Sequence, residues 1–279
     1  MKNKILKEII LKTNAKTLKI LNGLYKSIYK KQINEYKNIR EYVLGDEIKN
    51  INWKASSKTQ KLQIKEYESK SQNSFLLVLD NSNSMNAETN KYENKKEIVI
   101  NIASILGYII QNNDDKLRIL FKQEIANIKN NFYELDNKLT NYKNNQENNT
   151  LHGSLKCIEN IKTKHTIIII TDIKGVDNLD ETLLKRITKK HVVFIININD
   201  NYHNNHLLNI DKKKRISTFF TKDLKLRKIE KELRSKLIKQ NKKKLIKYKI
   251  GSITIESSDE IVIKLIKLLE ERKKWIHLS

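Results

Sequence analysis

A chain of 279 residues with 56 Lys+Arg against 32 Asp+Glu carries a formal charge of +24, and 38% of its residues are hydrophobic. That apolar share, spread in blocks, excludes wholesale disorder, and six Gly with no Pro exclude collagen-like or Pro-rich repeats. Cys157 is the single cysteine, which excludes a disulfide framework and a multi-Cys zinc module.

The start, Met1 to Leu21, alternates Lys with Ile and Leu at helical spacing and has no cleavable apolar run, so it predicts a basic amphipathic helix and not a signal peptide. A polar segment follows. Tyr42 and Trp53 predict order there by packing, Gly45-Asp46 suits a turn, and Arg40 can pair with Asp46 or Glu47.

From Phe75 onward short β-branched runs alternate with longer amphipathic ones. Strands are predicted at Phe75 to Leu79, Leu117 to Phe121, Glu124 to Lys129 (a short edge strand), Thr166 to Thr171, His191 to Ile196 and Ser252 to Glu256. Thr166 to Thr171 is the most apolar and is placed centrally, because parallel strands covered on both faces lose polar alternation. Helices are predicted at Lys95 to Ile110, Leu151 to Ile161, Leu179 to Thr188, Lys222 to Tyr248 and after Ser257 or Ser258. In the fourth of these, Leu226, Ile229, Leu233 and Leu237 form one stripe expected to face a core; in the last, Ile261, Leu265 and Leu268 face inward.

The fold class expected is α/β, a doubly wound, mostly parallel sheet flanked by helices, over residues 74–279. Residues 1–73 form an N-terminal helical and irregular extension packed on it. The apolar runs are too short or too interrupted for the ~20 residues a membrane span requires, so a cytoplasmic protein is expected.

The positive charge invites a polyanion-binding role. Against that, the excess Lys is spread along the whole chain, and Lys, Asn and Ile, which crowd this sequence, are all favoured by A/T-rich coding. A compositional bias that leaves a basic surface therefore competes with a dedicated nucleic-acid site, whose contacts would be Lys212 to Arg215 and the basic face of the Lys222–Lys249 stretch.

The chemistry concentrates after the first buried strand, where Asp80, Ser82 and Ser84 alternate. Such a segment can aim a carboxylate and two hydroxyls at one spot, and ligands of open α/β sheets bind outside the carboxyl ends of the strands. Asp172 supplies a second acid directly after another buried strand, and Thr150 a further hydroxyl at a loop-to-helix junction. These are hard oxygen donors, suited to Mg²⁺ or Mn²⁺. Asp and Ser are also ordinary loop and cap residues, so the strand-terminal pair of aspartates is what sharpens the signal. A phosphoryl-accepting Asp80 is disfavoured, since Ser82 stands where a second acid is usual. No Gly-x-Ser-x-Gly elbow exists for a nucleophilic serine. His203 and His206 lack the partners of a zinc site, and Cys157 reads as a structural thiol between Leu155 and Ile158.

The strand followed by Asp-x-Ser-x-Ser resembles the metal-ion-dependent adhesion site of von Willebrand factor A domains. Upstream, Ile39-Arg-Glu-Tyr-Val-Leu-Gly-Asp46, Ile48-Lys-Asn-Ile-Asn-Trp53-Lys-Ala-Ser-Ser57 and Leu62-Gln-Ile-Lys-Glu66 resemble the signature of the bacterial domain-of-unknown-function 58 family, which precedes such a domain. Departures fall upstream: Leu44 replaces a Pro, Asn52 an Asp, and Lys31 to Tyr36 a Gly-rich stretch. The resemblance implies that Asp80, Ser82, Ser84, Thr150 and Asp172 hold a divalent ion (Mg²⁺, with Mn²⁺ or Ca²⁺ as alternatives) that captures an acidic residue of a partner protein. It also implies a MoxR-type AAA+ ATPase as partner.

A non-enzymatic binding module is therefore expected. The alternative is a basic nucleic-acid or anionic-surface binder. A metal-assisted phosphohydrolase is least favoured, with His152 its one candidate base.

Overall fold

The computed structural model describes residues 4–29, 36–43, 48–67, 72–89, 93–129, 131–145, 151–199 and 224–277. Two helices, α1 (Lys4–Lys12) and α2 (Ala15–Tyr29), come first. Strands β1 (Tyr36–Glu41) and β2 (Gln63–Tyr67) then pair antiparallel as a separate two-stranded sheet, with α3 (Trp53–Thr59) in their connection. The main sheet comprises β3 (Ser74–Leu79), β4 (Lys116–Phe121), β5 (Glu124–Ile128), β6 (Thr166–Asp172), β7 (Val192–Ile198) and β8 (Gly251–Ile255), in the order β5-β4-β3-β6-β7-β8. β5 is the antiparallel edge strand, and all the other pairings are parallel. This is an α/β fold with a mostly parallel sheet, consistent with the von Willebrand factor A and Rossmann-like class, and β6 lies near the middle as the sequence predicts.

Strand alternation divides the core in two. Phe75, Leu77 and Leu79 of β3, with Ile168 and Ile170 of β6, face α4 (Lys95–Asn112), α5 (Phe132–Asn144) and α10 (Ile261–His277). Leu76, Val78, Ile167 and Ile169 face the other way, onto α6 (Leu151–Glu159), α7 (Ile173–Asp177) and α8 (Glu181–Lys190). With period-two side chains, this two-sided covering is why the middles of β3 and β6, Phe75 to Leu79 and Ile167 to Ile170, carry no polar residue. Burying each such Leu or Ile side chain contributes about 1.5–3 kcal/mol.

Helix α2 joins this core. Leu21 and Tyr25 are buried in it, α2 packs on α10, and the Tyr25 hydroxyl donates to Asp115.

Two expectations fail. Trp53 is 66% exposed instead of packed. It is the first residue after the Asn52 cap of α3, whose remaining residues are Lys, Ala, Ser and Thr, so the helix has no apolar stripe to bury against a neighbour. In α9 (Leu224–Lys247), Ile229 and Leu233 are 52% and 60% exposed, so the part of the stripe they occupy does not face a core. The helix is held instead by its second half: Leu245 is buried, Asn241 Nδ2 donates to the Ile173 carbonyl (3.1 Å), and the Lys244 ammonium donates to the Asp177 carbonyl (2.8 Å), capping α7. Asp46 and Glu47, the expected partners of Arg40, the His203 and His206 pair, and Lys212 to Arg215 lie outside the described residues.

Helix α5 was not expected from the sequence. Leu135, Leu139 and Tyr142 form a narrow stripe in an otherwise polar run, and the Asn131 side chain caps it by accepting from the Tyr133 N–H (2.9 Å).

At the N-terminal ends of β6 and β7, His191 Nδ1 accepts the His165 N–H (3.2 Å). Burial, with the nearby His165 and Lys190, lowers the His191 pKa to about 4. The unfolded chain, with a pKa near ~6.5, binds this proton first, so stability is full above that value and is lost as the pH falls toward 4. Urea unfolding midpoints should drop between pH 7 and pH 5, and His191→Gln should flatten that slope. An unchanged slope would remove this His from the account.

Candidate metal centre

Strand order turns at β3. The chain runs outward to β4 and β5, then returns to β6 on the other side of β3, so the carboxyl ends of β3 and β6 open a crevice at a topological switch point. In the β3–β6 register Leu79 stands opposite Ile170, and the Asp80 N–H continues the ladder onto the Ile170 carbonyl (3.1 Å). Asp80 and Asp172 therefore end neighbouring strands.

Each is fixed from several sides. Asp80 Oδ1 accepts the Ser82 N–H (2.9 Å), Oδ2 accepts the Thr171 hydroxyl, and the Asp80 carbonyl accepts the Tyr142 hydroxyl of α5 (2.6 Å). Asp172 Oδ1 accepts the Gly175 N–H (2.9 Å) and caps α7. The hydroxyls of Ser82 and Ser84 are 3.1 Å apart, and that of Ser84 also bonds Asp172. A short 3₁₀ turn, Asn83–Asn86, holds this segment, anchored by the fully buried Met85.

Four of the five sequence candidates (Asp80, Ser82, Ser84 and Asp172) thus meet at one place, while Thr150 lies outside the described residues. Ser82 and Ser84 are half-buried and Asn83 exposed, so solvent reaches the cluster.

Lys95 belongs to this site as well, and sequence reasoning misses it. This first residue of α4 is fully buried, and its ammonium donates to Asp172 Oδ2 (2.9 Å) and to the Ser84 carbonyl (3.1 Å). Its signal was present: Lys95, Ile98, Val99 and Ile102 share one helical stripe, all buried. Tyr142, Thr171 and Gly175 were missed as well.

The two carboxyls are shifted in opposite directions. Burial pushes Asp80 up, only partly countered by the Thr171 and Ser82 hydrogen bonds, and the Asp172 charge adds to the rise. Burial would raise Asp172 too, but the Lys95 ammonium, the Gly175 N–H and the Ser84 hydroxyl outweigh it and hold it below the usual carboxylate range.

By type, carboxylate and hydroxyl oxygens fit a hard divalent cation. Among the described residues no group of three or more His, Cys, Asp or Glu gathers for a metal, so hydroxyls must complete the set. The place beside Asp172 holds the Lys95 ammonium. A unit charge and a divalent one about 4 Å apart repel by roughly 8 kcal/mol at an effective dielectric of 20, so a divalent ion at Asp172 would compete with this ammonium.

Residues 38–232 match the family model described as "Protein of unknown function DUF58". The chain belongs to the DUF58 family. The match spans most of the two-stranded sheet, the Asp80 and Asp172 strands and part of α9, so in this DUF58 protein the crevice falls within the family region. No curated protein matches the chain.

Proposed function

We propose that this DUF58 protein is a non-enzymatic binding module, a cytoplasmic von Willebrand factor A-like domain whose crevice captures an acidic residue of a partner protein with the help of a divalent ion. The observation that supports this reading is the meeting of Asp80, Ser82, Ser84 and Asp172 at the β3–β6 switch point. A Mg²⁺ ion held there (or Mn²⁺ or Ca²⁺) would supply an electrophilic centre for an Asp or Glu of the partner. Asp80, Ser82, Ser84 and Asp172 would hold it, with Thr150 as a further donor. The partner is a MoxR-type AAA+ ATPase, in a chaperone-like or assembly role. No helix among the described residues is long and apolar enough to cross a membrane. His152, the one candidate base, interacts with the charge of Asp180, at the start of α8.

A second reading, binding of nucleic acid or another polyanion, is favoured by a groove at the opposite end of the sheet. It has a volume of about 1090 Å³ and lies where β7 and β8 begin, lined by Lys185, Lys189, Lys242, Lys247, Lys249 and Arg272 with Glu271 as its acid. Lys247 is already paired with Glu181 (2.7 Å), whereas the buried Arg272 Nε finds no hydrogen-bond partner among the described residues.

One capture experiment separates the two. Immobilised wild type should retain the ATPase in Mg²⁺ and lose it in EDTA, and Asp80→Ala should lose it in either buffer while unfolding cooperatively. Retention that survives both changes sinks the metal reading. Polyanion binding would show instead as oligonucleotide retention indifferent to EDTA, with log K falling against log[salt] by about 0.7–0.9 per phosphate contact.

A further inference from the structure

The least expected group in the molecule is a lysine with no exposed surface. Lysine is among the residues least often fully buried, and its charge is costly to desolvate unless paired. Lys95 carries a second handicap. As the first residue of α4, next to Lys96, it places positive charge at the positive end of the helix dipole, where acidic residues are favoured. A side chain disfavoured on both counts persists only where a strong negative partner holds it. Here that partner is Asp172, with the Ser84 carbonyl as second acceptor.

Asp172 and Ser84 are also two of the residues proposed above to hold a divalent ion. The ammonium stands where a cation is wanted, is tethered to the chain, and is already stripped of water. The crevice therefore has an internal counter-charge in the Lys95 ammonium.

We propose that the Lys95 ammonium is the resident cation of this site, and that a divalent ion enters only by displacing it, so that ion binding and release of Lys95 from Asp172 are one event. This rests on the metal reading of the crevice and adds a residue to it. The ammonium already occupies Asp172 Oδ2 and the Ser84 carbonyl, and its repulsion of a second cation makes wild-type ion affinity a difference between two cations competing for the same oxygens. Lys95 is an antagonist of the ion and not one of its ligands.

The test uses full-length wild type, Lys95→Met and Lys95→Gln, the last retaining amide donors for Asp172 in case the methionine variant does not fold. Mn²⁺ binding is followed by loss of the free-ion electron paramagnetic resonance signal, and thermal midpoints are measured in EDTA and in Mg²⁺. The expected result is Mn²⁺ affinity at least roughly tenfold tighter in the neutral variants than in wild type. Their midpoints should fall below wild type in EDTA and recover in Mg²⁺, while wild type shifts far less. Equal Mn²⁺ affinity and equal Mg²⁺ shifts in all three proteins overturn the role of Lys95 and leave the metal reading standing. Absence of ion binding in all three overturns the metal reading, and this inference with it.

Discussion

Asp172→Ala should destabilise the protein by about 3–5 kcal/mol, the cost of stranding one partner of a buried ion pair. Lys95 and Asp172 are both fully buried, and the substitution leaves the ammonium facing the Ser84 carbonyl without its counter-charge. It also orphans the Gly175 N–H and removes the cap of α7. Asp172→Asn keeps an acceptor for Gly175 and should cost less than Asp172→Ala. Urea unfolding at pH 7 measures both. A loss under about 1 kcal/mol for Asp172→Ala would mean the pair behaves like a solvated surface bridge, and the buried charge balance drawn for this crevice would be wrong.

Gly175→Ala should cost about 2–3 kcal/mol by overpacking and disorganise Asp80 at the same time. A Cβ at that position would lie 1.8 Å from Thr171 Oγ1 and 2.8 Å from Asp80 Oδ2. Thr171 is fully buried, so its hydroxyl has no solvent to retreat into, and moving it breaks its bond to Asp80. The need for glycine here is one of space, set by how closely α7 approaches the end of β6. The double variant Gly175→Ala, Thr171→Ala relieves the collision and should be less destabilised than the sum of the single changes, since the two positions touch. Strict additivity would count against the packing described.

The sheet was legible because its strands are covered on both faces: Phe75 to Leu79 and Thr166 to Thr171 have no polar face to confuse with a helix. Asp80 and Asp172 were legible for a related reason, since an acid directly after such a run has to sit at the strand's end. Their proximity was less accessible, because it depends on β6 returning beside β3, a choice made by long-range packing. Lys95 escaped because a lysine reads as solvated by default, even on a stripe with Ile98, Val99 and Ile102. Gly175 and Thr171 escaped because close approach of two elements leaves no periodic trace. Tyr142 was hidden with the rest of α5 in a run too polar to show its stripe. In α9 the opposite error occurred: Ile229 and Leu233 keep helical spacing, but spacing reports which residues share a side and not whether anything covers that side.

The seam between α2 and α10 has a consequence for how the chain is made. Leu21 and Tyr25 come together with Leu265 and Leu268 around one small apolar hollow, although a ribosome delivers the first pair long before the second. Until α10 emerges, the nascent polypeptide carries an open greasy flank beneath Leu106, Ile110 and Phe194. Such surface is what folding helpers in the cell recognise and what sticks to other immature chains. Closure of this flank therefore waits on the arrival of α10.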